Sequence, residues 1–297
     1  MDQAAKLREL MGQQRTYTEG RAVQMRNAAM RIIAVTSGKG GVGKSNFSVN
    51  LAIQLQKAGK SVIIVDADFG LANVEVLMDV RPKYSFRDVV NGTVDIQTAL
   101  AEGPGGVRFL SGGSGLAELA NVNEVQLQLL LDSMAALDGM ADVLLIDTGA
   151  GITKSVTHFL KAANEIVVVT TAEPTSITDA YAIIKILMDG NPNPPELKIV
   201  VNRVDSVEEG KDVFRRLQRV CAKFLGIQPI ELGSIPYDRN LVRAVKAQEP
   251  VALLFPNADS TKSIEVISQR LLRNGAVDEK TGGMKKFLQR WVGFMRT

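Results

Sequence analysis

Two lysines stand five residues apart in the stretch SGKGGVGKSN, residues 37–46. The spacing Gly38-x4-Gly43-Lys44-Ser45 is that of a phosphate-binding loop. Glycines let successive backbone N–H groups close around an anion, and a helix opening at the lysine points its positive end at it. On this pattern the loop residues Gly38, Lys39, Gly40, Gly41, Val42, Gly43, Lys44, Ser45 and Asn46 enclose a nucleotide. Lys44 neutralises the β and γ phosphates, and the Ser45 hydroxyl ligates Mg²⁺. Lys39 is left over, since one lysine serves such a loop. Three carboxylates fall where this chemistry needs them. Asp147 ends the apolar run VLLID and is placed to hold Mg²⁺ or its water, and Asp66 and Asp68 end the run VIIVDAD. In a parallel α/β sheet both runs deliver their acids to the carboxyl edge, where ligands bind.

The elements that must position these groups follow from the hydrophobic pattern. Short runs rich in Val and Ile, bounded by Gly, Asp or Pro, occur at 31–37, 61–68, 107–113, 142–151, 165–171, 197–205 and 230–236. Such runs read as strands buried on both faces. Helix-length segments lie between several of them, as in KSNFSVNLAIQLQKAG, which closes on Gly59. Strand, helix, strand in repetition predicts an α/β fold: a single doubly wound, mostly parallel sheet with helices on both faces. The reading divides the chain into a basic arm at 1–28, a nucleotide-binding domain at 29–273, a flexible connector at 274–283 and a terminal helix at 284–297.

Composition narrows the classes. The chain has 297 residues, 45% hydrophobic, 23% charged, with a net charge of +3. That balance suits a folded soluble core, and its charge is local rather than general: residues 1–31 hold six Lys/Arg against Asp2, Glu9 and Glu19. The single cysteine, Cys221, excludes a disulfide framework and a cysteine-built metal site within one chain, and reads as a small buried hydrophobe. No stretch has the length of a signal peptide or a membrane span, so a cytoplasmic chain is expected. His158, in KSVTHFLKAAN, reads as a helix packing or surface residue, and GGSGLAEL (112–119) as a connection without a phosphate-binding lysine.

The last fourteen residues, MKKFLQRWVGFMRT, repeat Met284, Phe287, Leu288, Trp291, Phe294 and Met295 at helical spacing, with Lys285, Lys286, Arg290 and Arg296 opposite. That profile predicts a helix lying in a membrane interface, with Phe287, Leu288, Trp291 and Phe294 inserted and Lys285 and Lys286 at anionic headgroups. Each basic residue near an anionic leaflet adds about 1 kcal/mol. One such helix binds weakly. Two on a dimer raise avidity by roughly 10²–10⁴.

KGGVGKS with its extra Lys39, DADFGLAN after the second strand and DTGAG after a later one resemble, in that order, the deviant Walker A ATPases of the MinD/ParA group. The resemblance spans about residues 30–272. It implies ATP and Mg²⁺ as cofactors, slow switch-type hydrolysis, and an ATP-sandwiched homodimer in which Lys39 crosses to the partner's nucleotide. It further implies that Asp68 orients the attacking water, that Asp66 lies near the Mg²⁺ shell, and that Gly149 and Gly151 free a switch after Asp147. Asn202, Arg203, Pro236 and Asp238 are implied around the adenine.

The first residues, MDQAAKLREL, predict a short helix capped by Asp2, with Ala4, Leu7 and Met11 on one side. Asp2, Gln3, Ala4, Leu7 and Arg8 are similar to the start of the MinD-like regulators of flagellar number, the FlhG (YlxH, FleN) family. TTAEPTSITDAYAIIK (170–185) resembles the same subgroup. That likeness implies that Gln3, Leu7 and Arg8 act on FlhF, the signal-recognition-type flagellar GTPase, with Gln3 reaching its nucleotide. Flagellar C-ring proteins are further implied partners, as is a flagellar transcription activator in some members. Two other classes compete: DNA partitioning of the ParA kind, which the basic arm permits, and division-site regulation of the MinD kind. Iron–sulfur carrier ATPases need paired cysteines, which this chain lacks.

Overall fold

This computed structural model describes residues 29–68, 73–112, 124–151, 154–191, 194–273 and 283–295. Among them eight strands form one sheet: β1 (Arg31–Thr36), β2 (Val62–Ala67), β3 (Ala101–Glu102), β4 (Arg108–Leu110), β5 (Val143–Thr148), β6 (Glu165–Thr171), β7 (Glu196–Val204) and β8 (Ile230–Pro236). Their order is β3-β4-β2-β5-β1-β6-β7-β8, parallel throughout except for the β3–β4 pair at one edge. All seven expected runs are strands. The eighth, β3, is two residues long with Glu102 exposed, so it has no apolar run to announce it.

β1, β2, β5 and β6 are buried along their whole length. Alternate side chains therefore enter two separate cores: Ile32 and Ala34 face one, Ile33 and Val35 the other. The second core is covered by α1 (Lys44–Lys57), α2 (Asn73–Met78) and, after the short α3 (Phe86–Val90) and α4 (Ile96–Ala99) on the opposite face, by residues late in the chain. The first core is covered by α5 (Glu124–Ala135), α6 (Lys154–Ala162), α7 (Pro174–Met188) and α8 (Val207–Leu225). Ser206 caps α8 by accepting from the Glu209 N–H at 3.1 Å, and Gly226 ends it in a left-handed conformation. Cys221, on α8, is fully buried, as a small hydrophobe should be. Next come α9 (Arg239–Lys246), α10 (Val251–Leu254) and α11 (Asp259–Arg273), of which α11 seals the second core with Ile264, Ile267 and Leu271.

At the amino edge of the sheet, Glu165 accepts two hydrogen bonds from Arg31, at 2.7 and 2.8 Å, and pairs with the fully buried Lys198. Arg31 also donates to the Leu271 carbonyl at 3.1 Å, tying β1 to α11. These charges lie at the end of the strands opposite the phosphate loop and leave that carboxyl edge to the ligand.

The terminal helix, α12 (Met284–Met295), departs from expectation. Its apolar face is not presented to solvent: Met284, Phe287, Leu288 and Trp291 are buried in the first core. Trp291 stacks on Phe159 of α6 with ring centroids 4.7 Å apart, and Phe287 lies 6.1 Å from the same ring. Asp138 accepts the first free N–H, from Met284, at 3.0 Å, and the Gly283 N–H donates to the Met30 carbonyl. Gly283, placed by sequence in the connector, thus belongs to the docked unit. The periodicity identified the apolar face correctly but carried no information on what covers it. No helix among the described residues is long and apolar enough to cross a membrane.

Candidate nucleotide site

The phosphate loop runs from the end of β1 to the start of α1, at the centre of the sheet's carboxyl edge. Gly43 is the residue before α1 and has φ of +93°, a conformation that a side chain disfavours, and no side chain caps the helix. The first N–H groups of α1 are therefore open to an anion. Lys44 turns inward, with its ammonium 2.9 Å from Asp147 Oδ1 and 3.4 Å from the Ser45 hydroxyl. Ser48, one helical turn on, donates to the same Asp147 oxygen at 2.7 Å. Sequence reading missed Ser48, although its position four residues after Lys44 puts it on the same helix face.

Asp147 Oδ2 is buried and has no hydrogen-bond partner among the described residues. A buried carboxylate oxygen left without a partner is costly unless something binds it. With the Ser45 hydroxyl nearby, it forms a hard oxygen donor set that fits Mg²⁺, which keeps much of its own water. No group of three or more His, Cys, Asp or Glu side chains that could hold a metal ion by itself occurs among the described residues, so the ion would rest on this sparse set together with phosphate oxygens.

Asp66 sits directly beside Asp147 in the β2–β5 register. Its two oxygens accept the N–H groups of Asp68 and Val74, each at 3.1 Å, which fastens α2 to the end of β2. A carboxylate retains further lone pairs after two such bonds. Burial, and then the charge of Asp147, pushes the Asp66 carboxyl up to about 7. The fold therefore binds this proton more tightly than the unfolded chain, whose value is 3.8, so stability falls as pH rises through that interval. Nucleotide-free protein should melt higher at pH 6 than at pH 8, and Asp66→Asn should flatten that difference in paired melting curves.

Asp68 lies against Gly149, in the segment after Asp147, with an oxygen 3.1 Å from where a Gly149 Cβ would stand. Asn73 donates to its other oxygen at 3.0 Å. Asn73 was legible only as part of DADFGLAN, without a role. The carboxylate is thus held at the carboxyl end of β2, beside the segment that follows Asp147.

Lys39 is not brought to its own loop's interior. Its ammonium points outward to Glu173, at 2.7 Å, and to the Thr175 hydroxyl at 3.3 Å. Gly43, Asn46, Asn202, Arg203, Pro236 and Asp238 line one cavity of about 330 Å³ beside the loop, with Leu241, Val242 and Val245 of α9 supplying an apolar wall that sequence reading missed. Asn202 donates to the Val42 carbonyl at 2.7 Å and so braces the loop. Arg203 holds φ of +57°, an uncommon backbone for a side chain and a mark of a constrained site. The Asp238 carboxylate accepts from Asn240 at the start of α9 and from both N–H and hydroxyl of Ser260. It lines the cavity and also braces α9 against α11. Gln3, Leu7 and Arg8 lie outside the described residues.

The family model for the CobQ/CobB/MinD/ParA nucleotide binding domain matches residues 33–251. The antiactivator FleN of Pseudomonas aeruginosa is 38% identical over 263 residues, 89% of this chain and 94% of that protein. The flagellum site-determining protein YlxH of Helicobacter pylori is 35% identical, covering 89% and 90%. Among solved structures, the MinC:MinD cell division protein complex of Aquifex aeolicus is similar with a TM-score of 0.65 and 26% identity over 84% of this chain and 98% of that one. The open α1 N-terminus, the inward Lys44 and the unsatisfied Asp147 are what a Mg²⁺-dependent ATP hydrolase requires, and the chain belongs to the CobQ/CobB/MinD/ParA family of nucleotide-binding proteins as one of its FlhG-like, MinD-related ATPases.

Proposed function

We propose that this protein is an ATP-dependent dimerising regulator of flagellar number and placement, resident at the membrane only while it holds ATP. The observation that carries the reading is kinship along 89% of the chain with a flagellum site-determining protein and with the antiactivator FleN. The site geometry supplies the switch. With a triphosphate bound, Lys44 would leave Asp147 for its β and γ oxygens. Ser45 and Asp147 would hold Mg²⁺, with Asp66 beside it, and the ion would neutralise charge on the phosphates. Asp68, fixed by Asn73, orients the attacking water, and the partner's Lys39 approaches the nucleotide from across a dimer interface. Leu241, Val242 and Val245 receive the base beside Arg203.

The docked tail and a membrane-inserted tail are alternatives, because each uses the same apolar face of α12. α6, which carries Phe159, starts only three residues after Gly151. A rearrangement after Asp147 on ATP binding therefore pulls on the helix that holds Trp291. Release of two tails from one dimer then gives the avidity that a single short helix lacks.

The head reading extends to a partner: residues 1–11 dock on the flagellar GTPase FlhF, and Gln3 orients its attacking water. A synthetic peptide of residues 1–25 should raise GTP turnover by that GTPase, and a Gln3→Ala peptide should not. Stimulation by neither peptide would sink the partner role. A salt-sensitive shift of DNA by the ATP-bound protein would then favour the partitioning reading, which rests on the basic arm.

A further inference from the structure

Ser48 is fully buried and stands where α1 needs no polar side chain. The next turns of the same helix face carry Ala52 and Leu55, both in the second core. A hydroxyl in that row requires a partner inside the protein. Two acceptors are in reach: the Lys44 carbonyl one turn back, at 3.1 Å, and Asp147 Oδ1, at 2.7 Å. A hydroxyl has one proton to give. The carboxylate takes it, because a hydrogen bond to an ionised acceptor is the shorter and the stronger. One position of the oxygen serves both contacts, so the helix itself holds the hydroxyl against Asp147.

The contacts at Asp147 are one-sided. Lys44, at 2.9 Å, and Ser48 both donate to Oδ1, while Oδ2 has no hydrogen-bond partner among the described residues. Lys44 is the contact that ATP removes, since its ammonium is needed on the β and γ phosphates. Asp147 then faces Asp66, its neighbour in the β2–β5 register. A carboxylate with no contact left turns about its Cβ–Cγ bond, whose torsion is broad. Ser48 has no such second task. It sits in the second turn of α1, between Phe47 and Val49, both buried in the second core.

We propose that Ser48 is a positioning residue for the metal: its hydroxyl keeps Asp147 Oδ1 when Lys44 leaves for the phosphates, so that Oδ2 stays available to the ion. The inference rests on Asp147 holding Mg²⁺, and adds what holds Asp147. Ser48 acts through that carboxylate and touches no reacting atom. It therefore sets how readily Mg²⁺ is taken up with ATP, and not the turnover of the filled site. Loss of a group that orients a metal ligand weakens metal binding by roughly 10- to 100-fold.

The full-length protein should be compared with Ser48→Ala, Ser48→Thr, Ser48→Val and, for the underlying reading, Asp147→Asn. Binding of a fluorescent ATP analogue is followed first in EDTA and then as Mg²⁺ is titrated in, with ATPase rates over the same Mg²⁺ range. Ser48→Ala should melt close to the wild type without nucleotide, because Lys44 still holds Asp147 there. It should bind the analogue normally in EDTA, need roughly 10- to 100-fold more Mg²⁺ for half its effect, and regain wild-type kcat once Mg²⁺ saturates. Thr and Val have nearly the same shape and differ in the hydroxyl. Ser48→Thr should therefore keep the low Mg²⁺ requirement and Ser48→Val should lose it. Equal requirements in those two, an unchanged requirement in Ser48→Ala, or a kcat that saturating Mg²⁺ does not restore overturns the proposal. If Asp147→Asn takes up Mg²⁺ like the wild type, the metal reading falls and the proposal with it. If Asp147→Asn is impaired and Ser48→Ala is not, only the role of Ser48 is lost.

Discussion

Lys39→Ala should still bind ATP but hydrolyse it at least about 10³-fold more slowly than the wild type. The size follows from the position of the side chain. Lys39 reaches away from its own phosphate loop toward Glu173, so it contributes nothing to nucleotide binding by a single protomer. Lys44, whose ammonium already sits 2.9 Å from Asp147, remains to neutralise phosphate charge. What is lost is a cation delivered across an interface, a contribution comparable to an arginine finger. Mixing tests the route directly. Asp68→Ala keeps Lys39 but lacks the water-orienting carboxylate, and Lys39→Ala keeps Asp68 but lacks the lysine. In a mixed dimer one site has both, so equal mixing should restore roughly a quarter of wild-type turnover if the two variants pair at random. No recovery on mixing would place the lysine's action in cis.

Phe159→Ala should strengthen vesicle binding in the presence of ATP, whereas Trp291→Ala should abolish it. Both rings are buried and stacked on each other, so truncating either removes about 3–5 kcal/mol from the docked arrangement. A loss near 3 kcal/mol shifts docking by roughly a hundredfold. Because α12 is a separate terminal helix, that loss should appear as local release more than as global unfolding. Rapid amide exchange confined to residues 283–295, with α1 and α11 still protected, checks this in both variants. The two then part company. Phe159→Ala leaves the released tail with its full apolar face, including the only tryptophan of the chain. Trp291→Ala releases a tail that has lost its interfacial anchor. Phosphatidylglycerol vesicles pelleted with Mg-ATP should carry down more of the first than of the wild type, and none of the second. If neither variant binds, α12 is a structural cover of the first core and the membrane role falls.

The difference between these two predictions marks where sequence stopped being informative. Lys44, Ser45, Asp66, Asp68 and Asp147 were all identifiable from the chain, because their chemistry is local: a glycine spacing before a helix, and an acid at the end of a Val/Ile run. The seven longer strands were legible for the same reason. Burial on both faces imposes a continuous apolar run, and only the two-residue β3 lacked one. Asp238 illustrates the limit. A strand-end acid has the same signature whether it only lines a cavity or, as here, also braces two helices through Ser260 and Asn240.

What the sequence alone determined was which residue types stand at the carboxyl edge and which face of each helix is apolar. Only the tertiary structure decided their partners: Glu173 for Lys39, Ser48 for Asp147, Asn73 for Asp68, and Phe159 for Trp291. Glu173 is 134 residues from Lys39, and Trp291 is on a different helix from Phe159. Periodicity and loop spacing are fixed over a few residues of backbone. Pairing across such separations is set by the sheet order, which brings β6 beside β1 and lays α6 against α12.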